Sequence, residues 1–313
     1  MHNQASYHSS HGSRVISGMD GLRSFRMSDG ERFAFTRNNM PQMDMLDIDD
    51  HYAGGNDLSA KDTVDGYGHT QWYNETVTYL QDPANARINV VMWSWCNPAG
   101  HDHQKYIDDM EDLIAQYGPE GSQLGRGGSR TTPVTFVFMT GHPNGDGESA
   151  ATSSAYHCHT LVTAHCIRNN RFCLDYWGIE THGMDGAYYP FVDDNGMDRE
   201  SGTHFYLDWQ NRHPDDYFEN GCAHCSANQE LTCNRKAYAA WWLWARIAGW
   251  QPENDAPPDD PADTPAAGDE SQTTTPEDDA TQTPDTNAAI GSTTNNAADG
   301  GCFIRTMAGL DNG

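Results

Sequence analysis

Ser13, Asn97 and His224 combine reactive chemistry with positions at the ends of expected helices and strands. Ser13 precedes apolar residues at helical spacing, so we expect it directly before a helix. A serine there can act as a nucleophile, because the helix dipole and free backbone N–H groups stabilise developing negative charge. The alternative role is a helix N-cap, in which the hydroxyl accepts a backbone hydrogen bond.

Asn97 and His224 would complete the chemistry of an acyl-transfer site. Asn97 follows an apolar run and could donate its side-chain amide to an oxyanion; the alternative is a turn residue before Pro98. His224 lies in a loop before the last expected helix, where a general base could reach the sheet. The alternative is a histidine that is simply held in a disulfide-rich loop.

Acidic and histidine-rich segments suggest two kinds of metal site. The oxygen ligands of one acidic turn are Asp193, Asp194, Asn195 and Asp198. They make calcium a candidate ion, although we expect no required cofactor, and the alternative is a solvated acidic turn. His101-x-His103 and His157-x-His159 have the ligand type of zinc, which needs three or four convergent ligands. Neither an HExxH nor a paired CxxC motif is present.

Eight cysteines exceed the usual number in a cytosolic enzyme, and none of their spacings completes a structural zinc motif. We therefore expect disulfides and an extracellular or cell-surface location. The candidate residues are Cys96, Cys166, Cys222 and Cys233. A bridge between Cys96 and Cys166 would join a strand end to a helix, and the cysteines near residue 225 favour a local disulfide.

Glycosylation has two candidate locations. Asn74 begins an Asn-Glu-Thr sequon, a pattern that also occurs by chance. Thr273, Thr274 and Thr275 lie in a Thr/Pro-rich segment of the kind that carries O-linked sugars. Both locations fit a secreted glycoprotein.

The elements that would position these residues alternate between strands and helices. Residues 88–97, 133–140 and 172–177 are short apolar runs bounded by turn residues, which is typical of buried strands. Helices are indicated over 14–22, 71–81, 106–117, 154–170 and 235–249. Residues 27–70 and 180–232 read mostly as loop. This alternation predicts an α/β fold with a mostly parallel sheet.

Composition divides the chain at residue 250. The whole chain has 45 acidic and 18 basic residues, which excludes nucleic acid and anionic membranes as expected partners. Residues 252–301 hold 12 acidic residues and no Lys or Arg, so this segment cannot bury enough apolar surface to fold alone. We predict a folded domain over 1–250, an extended stalk over 251–301 and a Cys-containing tail over 302–313. No run is long enough for a transmembrane helix.

A set of short motifs resembles one group of proteins. In order, they are His11-Gly12-Ser13, Val91–Cys96, Phe136–His142, Leu174–Glu180, Cys222-Ala223-His224 and Ala239–Trp250. This order is similar to that in uncharacterised secreted bacterial proteins related to the SGNH (GDSL-type) hydrolase superfamily. The resemblance implies a three-layer α/β/α, flavodoxin-like sheet. It also implies Ser13 as nucleophile, Asn97 as oxyanion donor and His224 as base.

Two functions follow from these observations. The first is an SGNH-type serine esterase that hydrolyses acyl esters on extracellular glycans. The second is a non-catalytic subunit of an extracellular filament or surface layer, a homo-oligomer whose C-terminal tail docks on a neighbouring subunit. The resemblance motivates the first function. The tail motivates the second, as does Gly221, which stands where the superfamily has an aspartate three residues before its catalytic histidine.

Overall fold

The structure is a computed structural model that describes residues 3–7, 10–37, 40–42, 44–50, 57–219, 222 and 229–251, with backbone alone for 3–7, 10 and 50. Six strands form one sheet in the order β2-β3-β1-β4-β5-β6, and every neighbouring pair is parallel. The strands are β1 Asn3–Tyr7, β2 Phe35–Arg37, β3 Leu46–Asp50, β4 Ile88–Trp93, β5 Thr135–Met139 and β6 Phe172–Leu174. The helices are α1 Ser10–Phe25, α2 Gln71–Gln81, α3 His103–Tyr117, α4 Ala155–Arg168, α5 Tyr176–Thr181, α6 Phe205–Arg212 and α7 Leu231–Ile247.

This arrangement confirms the predicted α/β class with a parallel sheet. Parallel neighbours need crossover connections, and helices supply them between β1 and β2 and at each step from β3 to β6. Such strands are apolar on both sides, because helices cover them. The continuous apolar runs of β4 and β5 are explained in this way.

Alternate residues of the central strands enter two separate cores. In β4, Val91 and Trp93 belong to one cluster, while Val90 and Met92 belong to another. The first cluster includes residues of α2, α3 and α4, and the second includes residues of α1 and α7. Successive side chains of a strand point to opposite faces, so the strand contributes to both cores.

Several predicted elements agree closely with the structure. The helix predicted over 71–81 is α2, and its first turn is capped by Thr70, whose hydroxyl accepts from Tyr73 N. The helix α3 begins after Asp102, whose carboxylate caps Lys105 N, and it buries Tyr106 and Met110. The predicted strands over 88–97 and 133–140 are confirmed as β4 and β5, with slightly shorter bounds.

Other predictions were wrong. The expected loop over 27–70 contains β2 and β3. The described part of 180–232 is mostly loop, as expected, apart from α6 and the ends of α5 and α7. The third predicted strand ends at Leu174, because Asp175 caps the short helix α5 through Gly178 N. The polar segment before α1, in which no strand was expected, holds β1 between β3 and β4 at the centre of the sheet. The polar composition of β1 did not predict a strand, because backbone hydrogen bonds to β3 and β4 on both sides hold this short segment in the sheet.

The C-terminal predictions fall outside the described residues. Residues 252–313 include the expected stalk, the tail and Thr273, Thr274 and Thr275. The boundaries at 250 and 301 therefore stay predictions. Among the described residues, none of the helices combines the length and apolar character required to span a bilayer.

Candidate functional site

The helix α1 begins at the carboxyl end of the central strand β1. The strand ends at Tyr7, and Ser10 is the first helical residue, so Ser13 lies one turn inside the helix. The expectation that Ser13 directly precedes the helix was wrong, because the helix begins three residues earlier, at Ser10. The role of Ser13 as a nucleophile stays a prediction. Ligands gather at the carboxyl ends of strands in open parallel sheets, so this is the expected place for a site.

His11 in the first turn of α1 pairs with Asp194 from the loop after α5. The His11 Nε2 atom lies 3.0 Å from Asp194 Oδ2. Arg14, one turn further along α1, donates to both carboxylate oxygens and to the Asp194 carbonyl, the last at 2.9 Å. Burial lowers the pKa of His11, although the Asp194 carboxylate opposes this shift. Neutral imidazole beside a held carboxylate is an acid–base pair.

His142 completes this cluster from the end of β5. Its ring stacks on that of His11, with centroids 4.2 Å apart and planes 18° apart. Its Nδ1 atom lies 2.9 Å from the carbonyl oxygen of Pro143, so Nδ1 carries the hydrogen and donates. Only 8% of His11 and 7% of His142 are exposed. The His11, His142 and Asp194 ligand atoms all lie within 4.8 Å of one another.

A buried network of ion pairs and hydrogen bonds holds Arg14, the residue that binds Asp194. Glu180 on α5 accepts from Arg14 Nη1 at 3.1 Å and from Lys236 Nζ at 2.5 Å. Thr232 on α7 also donates to Glu180, at 3.1 Å. Burial lowers the pKa of Lys236 to about 8, against the opposing charge of Glu180. The network links α1, α5 and α7 through groups that all have at most 1% exposed area.

Asp194 stays ionised in this environment. Burial alone would raise its pKa, but the hydrogen bond from His11 and the charge of Arg14 hold the pKa far below its ordinary value. The side chain of Asp194 keeps 26% of its area exposed, while that of His11 keeps 11%. The carboxylate is therefore the part of the cluster that solvent reaches most easily.

Asn97, the predicted oxyanion donor, lies beside the loop that carries His142. Its Oδ1 atom accepts from Ala99 N at 3.0 Å and from Asn144 Nδ2 at 3.2 Å. The two loops can approach this closely because residue 141 is a glycine. A Cβ atom at Gly141 would lie only 2.3 Å from the Pro98 ring. The loops after β4 and β5 therefore lie against each other, with Asn97 exposed at their surface. Its catalytic role stays a prediction.

His224, the predicted base, lies outside the described residues. Near it in sequence, Cys222 forms a disulfide with Cys233 on α7, which confirms the expected local disulfide. Asp193, Asp194, Asn195 and Asp198 are described, and the carboxylates of the three aspartates have other partners. Asp193 Oδ1 accepts from two backbone N–H groups of its own turn, as does Asp198 Oδ1. The calcium site stays a prediction, and these turns explain the acidic residues without it.

The histidine pairs singled out by sequence have separate partners. His103 and His157 lie 3.1 Å apart between their Nδ1 atoms, and His103 Nε2 donates to the Pro98 carbonyl. His101 contacts Asp62, and His159 contacts Asp175. Among the described residues, the paired His103 and His157 have no third ligand within metal-binding range.

The bridge between Cys96 and Cys166, one of the pairings that the sequence allowed, is not formed in the part of the chain that the structure describes. Cys96 follows the carboxyl end of β4. Cys166 lies in the last turn of α4, which has returned to the opposite edge of the sheet before β6 begins. The crossover geometry therefore separates the two thiols.

The sequon has an unusual setting. Asn74 is exposed on α2 and donates to Asp65 Oδ2 at 2.8 Å. Thr76 is fully buried, where its hydroxyl donates to the Trp72 carbonyl and accepts from the Trp93 indole. A surface cavity of about 470 Å³ beside Asn74 shares no residue with the His11 cluster. Glycosylation stays a prediction.

The sequence analysis did not assign roles to His11, Arg14, His142, Glu180 or Lys236. Two signals pointed to them. His11 and His142 follow strand ends, where parallel sheets place functional side chains. The other three are charged residues on buried helix faces, and such groups are almost never buried unless they are paired.

Comparison of the chain with protein-family models, with curated proteins and with solved structures found no match.

Proposed function

We propose that this protein is an ester hydrolase with its reactive groups at the carboxyl edge of the parallel sheet. In this proposal the domain is three-layered and related to the SGNH hydrolases. The order β3-β1-β4-β5-β6 supports this, because it is the flavodoxin-like order with β2 added at one edge. The order reverses between β1 and β4, where such sheets bind ligands.

One observation carries the proposal: a continuous set of contacts joins the first turn of α1 to Asn97. His11 in that turn stacks on His142, and Asn144 of the same loop donates to Asn97. The hydroxyl-rich start of α1 and the amide of Asn97 therefore border the same part of the sheet edge. A nucleophile and an oxyanion donor have to meet in this way for acyl transfer.

The roles follow from the geometry of α1. Side chains two residues apart on a helix do not face each other, so His11 is not the partner of Ser13. In the proposal a serine hydroxyl attacks the acyl carbon, His224 takes its proton, and Asn97 donates to the oxyanion. The ester C–O bond then breaks, and the glycan alcohol leaves with the proton from His224. Water, deprotonated by His224, cleaves the acyl-enzyme and releases the carboxylic acid and the free serine. Ser13 is the nucleophile that the family resemblance implies. Ser10 is the alternative nucleophile, because it is the first residue of the helix.

The proposed substrates are acyl esters on extracellular glycans. The excess of acidic residues disfavours polyanionic substrates. The alternative function, a filament subunit that docks through its tail, has no support within the described residues, since the tail lies beyond them.

An assay of acetyl-ester hydrolysis tests the proposal. The full chain is assayed on p-nitrophenyl acetate and on acetylated xylan, beside Ser10→Ala, Ser13→Ala and His224→Ala. Loss of the triad's nucleophile costs several orders of magnitude in kcat. We expect this loss for His224→Ala and for one of the two serine variants.

Ser24→Ala is the matched control, because Ser24 lies on the same helix and its hydroxyl only donates to the Asp20 carbonyl. We expect full activity from it. Hydrolysis that survives all three substitutions, or a wild-type chain without activity on any acyl ester, refutes the proposal.

A further inference from the structure

The cluster of His11, His142 and Asp194 has no role in the proposed ester chemistry, yet it has the composition of a metal centre. We propose that these three residues bind a divalent transition-metal ion of the zinc class. Two imidazoles and one carboxylate are a common donor set for such ions. Three protein ligands leave a coordination position for water or a substrate oxygen.

The separations in the cluster suit a shared ion. Metal–nitrogen and metal–oxygen bonds of about 2.1 Å place two ligands about 3.4 Å apart at a tetrahedral angle. His11 Nε2 and Asp194 Oδ2, at 3.0 Å, are close to this separation. One ligand atom from each of the three residues lies within 4.8 Å of the other two. Because the two rings are nearly parallel, ion binding tilts one ring out of the stack.

The hydrogen bonding of His142 suits a metal ligand. Its Nδ1 atom donates to the Pro143 carbonyl, which in the neutral ring leaves Nε2 as the atom with a lone pair for a metal. Such an outer hydrogen bond to a carbonyl is the usual way in which a ligating histidine is oriented.

Arg14 and Glu180 supply the outer support. Arg14 holds both oxygens of Asp194, and a carboxylate has about four lone-pair directions, so this leaves capacity for an ion. Glu180 offsets the guanidinium charge from the other side, at 3.1 Å. The Asp194 carboxylate is therefore held in one orientation and can still bind a metal ion.

A second group of ligating residues lacks these properties. His69, Asp109 and Asp112 also lie within metal-binding range of one another. Asp109 already accepts from Thr70 N, from the Thr70 hydroxyl and from the Lys105 ammonium group, the last at 2.8 Å. This carboxylate anchors the loop before α2, and the third residue of the group, Asp112, is exposed, whereas both histidines of the His11 cluster are buried.

Metal titration of the full chain tests the proposal. The protein is stripped with dipicolinic acid and titrated with Zn²⁺ by calorimetry, and Co²⁺ is then used as a visible-absorption probe. We expect one tight equivalent per chain and a Co²⁺ spectrum of nitrogen and oxygen ligands. His142→Ala and Asp194→Asn are each expected to weaken binding by about 100-fold or more, at least the loss seen for outer partners.

His157→Ala is the matched control, because it removes one histidine of the His103–His157 contact, and we expect unchanged affinity. Circular dichroism checks that each variant folds; His142→Ala decides the result if Asp194→Asn does not fold. Binding that His142→Ala leaves unchanged, a thiolate charge-transfer band with Co²⁺, or no tight equivalent overturns the proposal. No substrate is used, so failure of the proposed esterase activity does not alter this outcome.

Discussion

Glu180 has no exposed area and accepts from two buried cations, Arg14 and Lys236. We expect Glu180→Gln to lower the free energy of unfolding by about 3 to 5 kcal/mol, the range measured when one partner of a buried ion pair is removed. The loss comes from leaving cationic groups buried without compensation. Urea unfolding followed by circular dichroism measures it.

Glu75→Gln is the control for this change. Glu75 contacts Lys61 at 2.5 Å, but its side chain is 24% exposed. Exposed pairs contribute about 1 kcal/mol or less. Equal losses for the two variants would show that the buried network has no special weight in stability.

Lys236 gives the network a pH dependence. Burial lowers its folded-state pKa to about 8, whereas an unfolded lysine titrates near 10.4. Between these values the unfolded chain binds more protons, so the Lys236 contribution makes stability rise with pH, by at most about 1.4 kcal/mol per unit. We expect the wild-type chain to gain stability relative to Lys236→Met between pH 8 and pH 10.

Urea unfolding of both chains at half-unit pH steps measures this difference. Tyrosines and thiols titrate in both chains, so their effects cancel in the comparison. Lys61→Met, which removes a partly exposed lysine, should keep the wild-type pH dependence. A constant difference between wild type and Lys236→Met would contradict the lowered pKa.

At the scale of elements, the contact between α1 and α7 depends on Gly18. A Cβ atom at this position would lie 2.3 Å from the Cys233 carbonyl oxygen and 3.2 Å from Ala237 Cβ. We expect Gly18→Ala to lower the free energy of unfolding by about 1 to 3 kcal/mol, because overpacking pushes the helices apart. Thermal unfolding compares it with Gly66→Ala, where the added methyl group meets nothing within 4 Å. If the Gly18→Ala chain is as stable as the Gly66→Ala chain, α1 and α7 do not pack closely at Gly18.

Elements with strong apolar patterns could be predicted from sequence, and elements with weak patterns could not. The apolar residues 90–93 of β4, with turn residues on both sides of the run, indicate a strand. The helical spacing of Tyr106, Met110 and Leu113 indicates α3. In β3, Ile48 is buried but lies between Asp47 and Asp49. Its alternation was a valid strand signal, hidden by the acidic composition.

The candidate site was predicted less well than the fold. The sheet edge was expected, because the end of β4 could be identified from sequence. The His11–Asp194 contact could not be predicted, since 183 positions separate the two residues. Ser13 was assigned to the helix start because the preceding residues are polar, whereas the helix begins at Ser10. Helix ends depend on local hydrogen bonds that composition does not specify.

At the scale of the whole molecule, we expect the folded domain to be independent of residues 252–313. The segment 252–301 holds 12 acidic residues and no Lys or Arg, so it offers little apolar surface and adds repulsion. A chain that ends at Gln251 should show the same urea midpoint and melting temperature as the full chain. Parallel denaturation of both chains measures this. A lower urea midpoint or melting temperature in the shortened chain would show that residues 252–313 stabilise the folded domain.

The packing of α1 against α7 has a consequence for biosynthesis. The buried face of α1, with Val15 and Met19, shares its core with Ala237 and Leu243 of α7. About 200 residues separate the two helices, so at roughly 5 to 20 residues per second α1 emerges about 10 to 40 s before its partner. During that interval the apolar face of α1 can pack on the strands but lacks the α7 part of its core, so we expect chaperones to bind the nascent chain at this helix.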